Sequence, residues 1–378
     1  MATRARAKRR FPISVAMIVR DEEAVLDRCL ASLQGVVDEI VVIDTGSTDR
    51  TVEIARSYGA TVGHFEWIDD FGAARAYSLE QTTHPWRLVL DADEWIVDPD
   101  AARELFDDIG QRLPNFAGSI DMLQARPDGT LNDDVVPQPL IRLLPRHVTY
   151  TGRVHEQPTP EIPGKRLNLL VGHDGYSDEA KERKAGRNVD LLIASLEVEP
   201  DNAYLWYQLA AEFFTRNMPD EAITYLVQSY NLLHPQNPGP DAPIKAGWWH
   251  RVSTRLVLTL TQLGRLEEAV QVGEIEAFAW PDSADFFYAF GLAVRKLALS
   301  VREAEPERAE QLAAASTGLW TQAVEMGDRQ EYTGIFGTRA TVLAARLLVT
   351  DYESLERPAD AERYRRIASG EQLVAAGA

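Results

Sequence analysis

The sequence predicts two folds in tandem: an α/β domain with a mostly parallel sheet, then an all-α domain of helix pairs. Three observations carry this. Up to Asp100, short apolar runs rich in β-branched residues alternate with segments of helical spacing. After Asp100 the runs read as antiparallel pairing, and from about Arg187 the chain reads as helix to its end. Strands alternating with crossover helices imply a parallel sheet covered on both faces.

Taken in order, Ile13–Val19 is a continuous apolar run of strand length, followed by helical spacing over Glu22–Leu33. Glu39–Ile43 is a second strand and Thr51–Tyr58 a helix. Ala60–Phe65, Gly72–Glu80 and Arg87–Leu90 read as strand, helix and strand. Ser119–Arg126 and Leu140–Leu144 flank a turn at Asp128-Gly129, the pattern of a hairpin. The expected division places residues 1–186 in the α/β domain, with 1–10 as a loose basic tail, and 187–378 in the helical domain. The basic run from Arg4 to Arg10 ahead of Ile13 imitates a secretory leader. The apolar run stops at Arg20-Asp21-Glu22-Glu23, however, and no small-residue cleavage site follows. No span of ~20 apolar residues occurs, so no transmembrane helix is expected.

A chain of 378 residues with 45% hydrophobic content and eight Trp can bury two cores. The net charge of −19 argues against a nucleic-acid groove, which needs a basic face. A diphosphate can still bind such a protein where a divalent cation neutralises it. The single cysteine, Cys29, excludes an internal disulfide and an all-cysteine metal site; within Leu26, Cys29, Leu30 and Leu33 it reads as core. A reducing cytoplasm is the consistent compartment.

In the second half, Trp206, Leu209, Ala210, Phe213, Ala222 and Leu226 fall at the offsets of a tetratricopeptide helix pair. A second partial match runs through Leu256, Leu260, Gly264, Ala269 and Pro281, with the run from Pro235 to Pro240 as an inserted loop. Phe287, Phe290 and Gly291 begin an irregular third unit. Trp248, Trp249, Phe286, Phe287 and Tyr288 read first as core between helices.

The chemistry gathers at the carboxyl ends of the strands, where open α/β sheets bind ligands. Arg20-Asp21-Glu22 follows the first strand, Asp44 to Asp49 the second, and Asp91-Ala92-Asp93-Glu94 the fourth. Ser47, Thr48 and Asp49 are candidate helix caps and Gly46 permits the turn. That reading accounts less well for Asp44, an acid ending an apolar strand and able to accept from a uracil-type base or a ribose. Asp91 and Asp93 stand at i, i+2, so extended backbone turns both carboxylates to one side. One can ligate Mg²⁺ or Mn²⁺ while the other holds a ribose hydroxyl or a metal-bound water, the substrate phosphates supplying further ligands. Asp70 is a candidate cap; Arg75, one turn on, could reach a diphosphate or form a helix-surface salt bridge. His155 offers a nitrogen ligand and Glu156 beside it a general base. His173 reads equally as metal ligand, acceptor contact or buried hydrogen-bonder. No G-x-G-x-x-G, P-loop or G-x-S-x-G is present, which disfavours dinucleotide oxidoreductases, P-loop enzymes and α/β-hydrolases.

These residues in this order resemble the GT-A glycosyltransferases of family 2. The likeness rests on Ile18 to Glu23, Val41 to Asp49, Asp70-Phe71 to Arg75 and Leu90 to Glu94. Arg142-Leu143 and Gly152 to Glu156 are similar to the branch with a tetratricopeptide-like tail, which includes sublancin-type peptide S-glycosyltransferases and lipopolysaccharide-core glucosyltransferases. The resemblance implies a UDP-sugar donor, with Asp44 on the base, Asp91 on the ribose side and Asp93 on the metal. It further implies His155 in the metal shell and Glu156 as base, with Arg20, Asp21, Glu22, Arg75 and Ala92 around the donor. The chain departs from the branch at Ala76, often Asn, and Arg50, often Gly. Expected acceptors are a peptide or small natural product, with the helical domain serving the acceptor or a second copy of the chain. A nucleotidyltransferase is the rival enzyme, but it would want a Gly-rich loop where Arg20 to Glu23 stand. A retired domain on a repeat scaffold is the non-catalytic rival.

Overall fold

The computed structural model describes residues 11–369 apart from 113, 127–129, 133–136, 175–177, 235–246, 328–334 and 337–338. The basic tail, the Asp128-Gly129 turn, Gly175-Tyr176 and the Pro235 to Pro240 insertion lie outside the described residues. Two units emerge from the packing, residues 1–191 and 192–378.

In the first unit eight strands form one mixed sheet. Its parallel part holds β1 (Ile13–Val19), β2 (Glu39–Asp44), β3 (Thr61–His64) and β4 (Trp86–Val89) in the order β3-β2-β1-β4. The sheet continues as β7-β6-β10-β5, from β7 (Gln138–Pro145), β6 (Ala117–Gln124), β10 (Gly164–His173) and β5 (Glu94–Ile96). As expected, β6 and β7 pair antiparallel, Gly118 opposite Leu143 and Met122 opposite Gln138. β10 runs parallel to β6, and β5 antiparallel to β10. Alternation along β1 sorts the two cores. Ile13, Val15, Met17 and Val19 pack with α1 (Leu26–Leu33) and α4 (Pro99–Ile109), whereas Ala16 packs with Leu79 of α3 (Phe71–Glu80).

One boundary and one helix differ from expectation, each for a physical reason. α1 begins at Leu26, not Glu22, because residues 21–23 are tied across to the loop before α2 (Thr51–Ser57). The Glu22 N–H donates to Thr51 Oγ1 at 2.7 Å and the Glu23 N–H to Asp49 Oδ2 at 3.0 Å. Ser47 and Thr48 also serve that tie and cap nothing; Asp49 Oδ1 accepts from the Thr51 N–H at 2.9 Å. The helix α4 was not anticipated, although Asp98-Pro99 announces it: Asp98 accepts from the Asp100 and Ala101 N–H groups, and Pro99 opens the helix.

Asp70 caps α3 as expected, accepting from the Ala73 N–H at 2.8 Å. Its first turn is strapped to the loop between β8 (Thr149–Thr151) and β9 (Gln157–Thr159). The Phe71 N–H donates to Arg153 O at 2.8 Å and the Gly72 N–H to Gly152 O at 3.1 Å. A Cβ on residue 72 would stand 2.5 Å from Gly152 O, so only glycine permits this approach.

A long helix, α5 (Asp178–Val198), spans the division between the units. The second unit then pairs α6 (Ala203–Thr215) with α7 (Pro219–Leu233), and α8 (Gly247–Gln262) with α9 (Leu266–Ala277). α10 (Ala284–Val301) pairs with α11 (Pro306–Met326), and α12 (Ala340–Ser354) with α13 (Pro358–Ala368). Asn217, Gly264 and Glu356 take positive φ between the helices of three pairs, and Pro219, Pro306 and Pro358 stand at helix starts. In two of the pairs, α6 with α7 and α12 with α13, a left-handed residue follows one helix and a proline opens the next, which makes the turn short. Leu209, Ala210, Ala222 and Leu226 are buried, as are Trp249, Phe286 and Phe287, while Trp248 and Tyr288 are half-buried against the same core. Gly291 lies under the Trp320 indole, whose Nε1 donates to Tyr288 O at 3.3 Å. Among the described residues no helix is long and apolar enough to cross a membrane.

Gly72→Ala should lower unfolding stability by about 1–3 kcal/mol, because backbone has to give way to backbone. Chemical denaturation of the full chain measures it; a variant as stable as the parent would mean the strap yields freely.

Candidate active site

The register of the parallel strands sets Val19 beside Asp44, and Asp44 beside His64. The Asp44 carboxylate accepts from the Ser47 N–H at 3.0 Å and the Gly46 N–H at 3.3 Å, with His64 Nδ1 at 3.4 Å. Burial opposes its charge, but these hydrogen bonds prevail and hold the carboxyl below its usual range. Asp21, at positive φ, accepts from the Thr48 N–H at 2.7 Å and returns its own N–H to Ser47 Oγ at 3.0 Å. Asp21 and Glu22 therefore lock the first two loops together, beside exposed Arg20.

Asp91 follows β4 and meets two arginines. Arg75 Nη2 from α3 donates to its Oδ1 at 2.7 Å, and Arg142 Nη2 from β7 to its Oδ2 at 2.9 Å. Arg142 also donates to Glu94 at 2.5 Å, and Arg75 Nε to Glu156. Arg75 is only 7% exposed, so it is no surface salt bridge, and its Nη1 is buried without a hydrogen-bond partner among the described residues. The strap at Gly72 and Gly152 accounts for the meeting with Glu156, whose loop it binds to the start of the same helix. Burial works against the Asp91 charge, but the guanidinium groups of Arg75 and Arg142 hold its carboxyl far below the usual range. Glu94 goes the other way. Its burial, with Asp91 and Asp93 adding repulsion, overcomes Arg142 and pushes it up to about 7.

Asp93 is buried and faces His173, with Nε2 3.3 Å from Oδ2. Gln124 Oε1 lies 2.9 Å from the other ring nitrogen, Nδ1. Burial lowers the His173 pKa, but the hydrogen bond and charge of Asp93, with Glu94 and Asp91 behind it, raise it above the ordinary value. The Asp174 N–H donates to Asp93 O at 2.9 Å, and Arg28, stacked on Trp95, donates to the Asp174 carboxylate at 3.0 Å. Ala92, expected beside the donor, buries its methyl in the core under the loop. The imidazole facing Asp93 is that of His173, whereas His155, at positive φ, lies on the loop strapped to α3. Among the described residues no group of three or more His, Cys, Asp or Glu side chains is arranged to hold a metal.

Residues 14–129 match the model of the family described as Glycosyl transferase family 2. The N-terminal unit carries a family 2 glycosyl transferase domain. A TPR repeat-containing protein of Synechococcus elongatus is 34% identical over 217 residues, covering 52% of this chain and 51% of that protein. The SPbeta prophage-derived glycosyltransferase SunS of Bacillus subtilis is 29% identical over 231 residues, 58% of this chain and 53% of its own. The lipopolysaccharide core biosynthesis glycosyltransferase LpsC of Rhizobium meliloti is 35% identical over 104 residues, 26% of this chain and 37% of its own. The chain thus spans about half the length of the first of these relatives.

Beyond the residues that match the family, sequence reasoning missed the role of Arg142, the partner of both Asp91 and Glu94. Its signal was available: a single charge inside the apolar run Leu140-Ile141-Arg142-Leu143-Leu144 is a buried charge awaiting partners. Gln124 and His64 carried no comparable signal, because only strand register brings them to His173 and Asp44.

The raised Glu94 pKa gives a pH dependence. An acid whose pKa rises on folding stabilises the fold while protonated, so this contribution is whole below its ordinary 4.5 and is lost as pH passes about 7. Stability of the parent relative to Glu94→Gln should therefore fall across that window, by up to about 3 kcal/mol. Urea titrations at a series of pH values measure it; a difference independent of pH would show that Glu94 stays ionised throughout.

Proposed function

We propose that this protein transfers a sugar from a nucleoside diphosphate donor, with uridine as the expected base, to a peptide or small natural-product acceptor. The observation that carries the reading is Arg75: a buried guanidinium, held by Asp91 and Glu156, with Nη1 left without a partner among the described residues. A buried donor of this kind is costly unless a ligand satisfies it, and a diphosphate oxygen is the matching acceptor. The family 2 match, which ends at residue 129, and the glycosyltransferases among the relatives support the same reading.

Asp44, already held by the turn that follows it, takes the base or ribose, with Asp91 on the ribose side. Mg²⁺ or Mn²⁺ suits the residues present. Asp91 is engaged by two arginines, which leaves Asp93 with His173 as the protein's donor pair and the diphosphate to supply the rest. A nitrogen donor favours Mn²⁺ over Mg²⁺. We place His173 at the cation in the position expected of His155. The cation, when bound, offsets the charge that develops on the departing nucleoside diphosphate.

Arg75 adds a fixed positive charge at the same place, and its ion pairs keep it from swinging away. Glu156, anchored through one oxygen, presents the other as base to an acceptor hydroxyl or thiol, with His155 next to it on the acceptor side. A single base opposite the leaving group gives displacement with inversion. The helical unit is assigned to acceptor binding or to pairing with a second copy of the chain.

UDP together with Mn²⁺ should raise the melting temperature more than either alone, since each stabilises the site for the other. Asp93→Ala should abolish the extra shift and metal-dependent donor hydrolysis, and Arg75→Ala should lower kcat/KM by roughly 100-fold. Equal shifts with and without metal, or hydrolysis untouched by Asp93→Ala, would overturn the cation assignment. Failure of every nucleotide sugar to bind would favour a non-catalytic scaffold.

A further inference from the structure

We propose that Gln124 is a positioning residue, whose carboxamide fixes the rotation and tautomer of His173 so that Nε2 is presented, with Asp93, to the cation. The inference rests on the assignment of Asp93 and His173 as the cation's donor pair.

Three observations carry it. Gln124 and His173 are register partners on the parallel strands β6 and β10, so their side chains leave the sheet on one face as neighbours. Gln124 Oε1 stands 2.9 Å from Nδ1, while Asp93 Oδ2 stands 3.3 Å from Nε2 on the opposite edge of the ring. The His173 backbone is held from both sides as well: it is the partner of Glu94 on β5, and its carbonyl accepts from the Ala125 N–H at 2.8 Å. Its main chain is thus fixed, and Gln124 and Asp93 face its two ring nitrogens.

The consequence follows from the inventory of donors and acceptors. A carbonyl oxygen at Nδ1 requires a proton on that nitrogen, so Nε2, facing the Asp93 carboxylate, either carries the second proton of the charged ring or offers its lone pair. Without a cation the two acceptors suit the doubly protonated ring; a cation that takes the place of the Nε2 proton joins nitrogen to carboxylate in the same geometry. Histidines that ligate metals ordinarily give their second N–H to an oxygen in this way, and loss of that oxygen costs about 10–100-fold in metal affinity. Were the amide turned the other way, its NH₂ would donate to Nδ1, Nε2 would carry the proton, and His173 would merely hydrogen-bond Asp93. The two arrangements make opposite predictions.

The test compares the parent with Gln124→Glu, which keeps the acceptor, and Gln124→Met, which keeps length without it. Mn²⁺ affinity is read in the full-length protein saturated with UDP, from the EPR signal of free Mn²⁺. The ring tautomer is read separately by ¹⁵N NMR of the metal-free protein, at a pH where His173 is neutral. The expected result is a parent with its proton on Nδ1, Gln124→Glu binding Mn²⁺ within a few-fold of the parent, and Gln124→Met about 10–100-fold weaker. UDP binding without metal should be unchanged in all three. Gln124→Met binding Mn²⁺ as tightly as the parent, or a parent with its proton on Nε2, overturns the inference. A parent that binds no Mn²⁺ in the presence of UDP removes the cation assignment itself and the inference with it; a proton on Nδ1 would then mark Gln124 as a structural partner only.

Discussion

The active end of the sheet depends on two arginines held among carboxylates. Arg75 comes from a helix and Arg142 from a strand far along the chain, and both converge on Asp91. Each also holds a second acid, Glu156 for Arg75 and Glu94 for Arg142. Removing one member of such a set leaves a charge stranded out of water, which costs far more than the intact pair contributes. The arrangement therefore fixes where the loop after β4, the helix α3 and the loop before β9 stand relative to one another. With Asp93 added, acids outnumber guanidinium groups, so under the proposed function an incoming diphosphate would meet a site short of positive charge, which a divalent cation would offset.

The parallel half of the sheet was legible because each strand there is a continuous apolar run, and each loop after it is crowded with polar residues. Ile13–Val19 is a strand over its whole expected length. Ser119–Arg126 and Leu140–Leu144 also announced their pairing. What escaped was β5, β8, β9 and β10. These are short, or carry polar residues on exposed faces, as in Gly164-Lys165-Arg166, and their stability comes from neighbours already in place. Propensity is weak where tertiary context decides.

The site divides in the same way. Asp44, Arg75, Asp91 and Asp93 could be named from their positions after strands or one turn into a helix, and the structure gathers Arg75, Asp91 and Glu156 into one network. His173 could not be ranked above His155 on sequence, since their distance to Asp93 depends on β10 joining the sheet beside β5. The helical unit hides a similar case. Fully buried Glu276 accepts from Ser253, Trp280 and Tyr230 and pairs with His234, a polar knot joining α7, α8 and α9 that no repeat pattern announces.

The strap at the start of α3 decides what that helix can offer a ligand. Helix beginnings commonly greet anions with free N–H groups and a partial positive charge. Here the Phe71 and Gly72 N–H groups are spent on Arg153 and Gly152 carbonyls, and those of Ala73 and Ala74 on Asp70. The mouth of the helix is closed by the protein's own oxygens. Whatever attraction α3 exerts on a phosphate must then come from Arg75, a turn further in, acting through a side chain and not through the backbone. A side chain can be removed or replaced one charge at a time, so this helix's electrostatic contribution is open to single substitutions in a way that a backbone anion hole would not be.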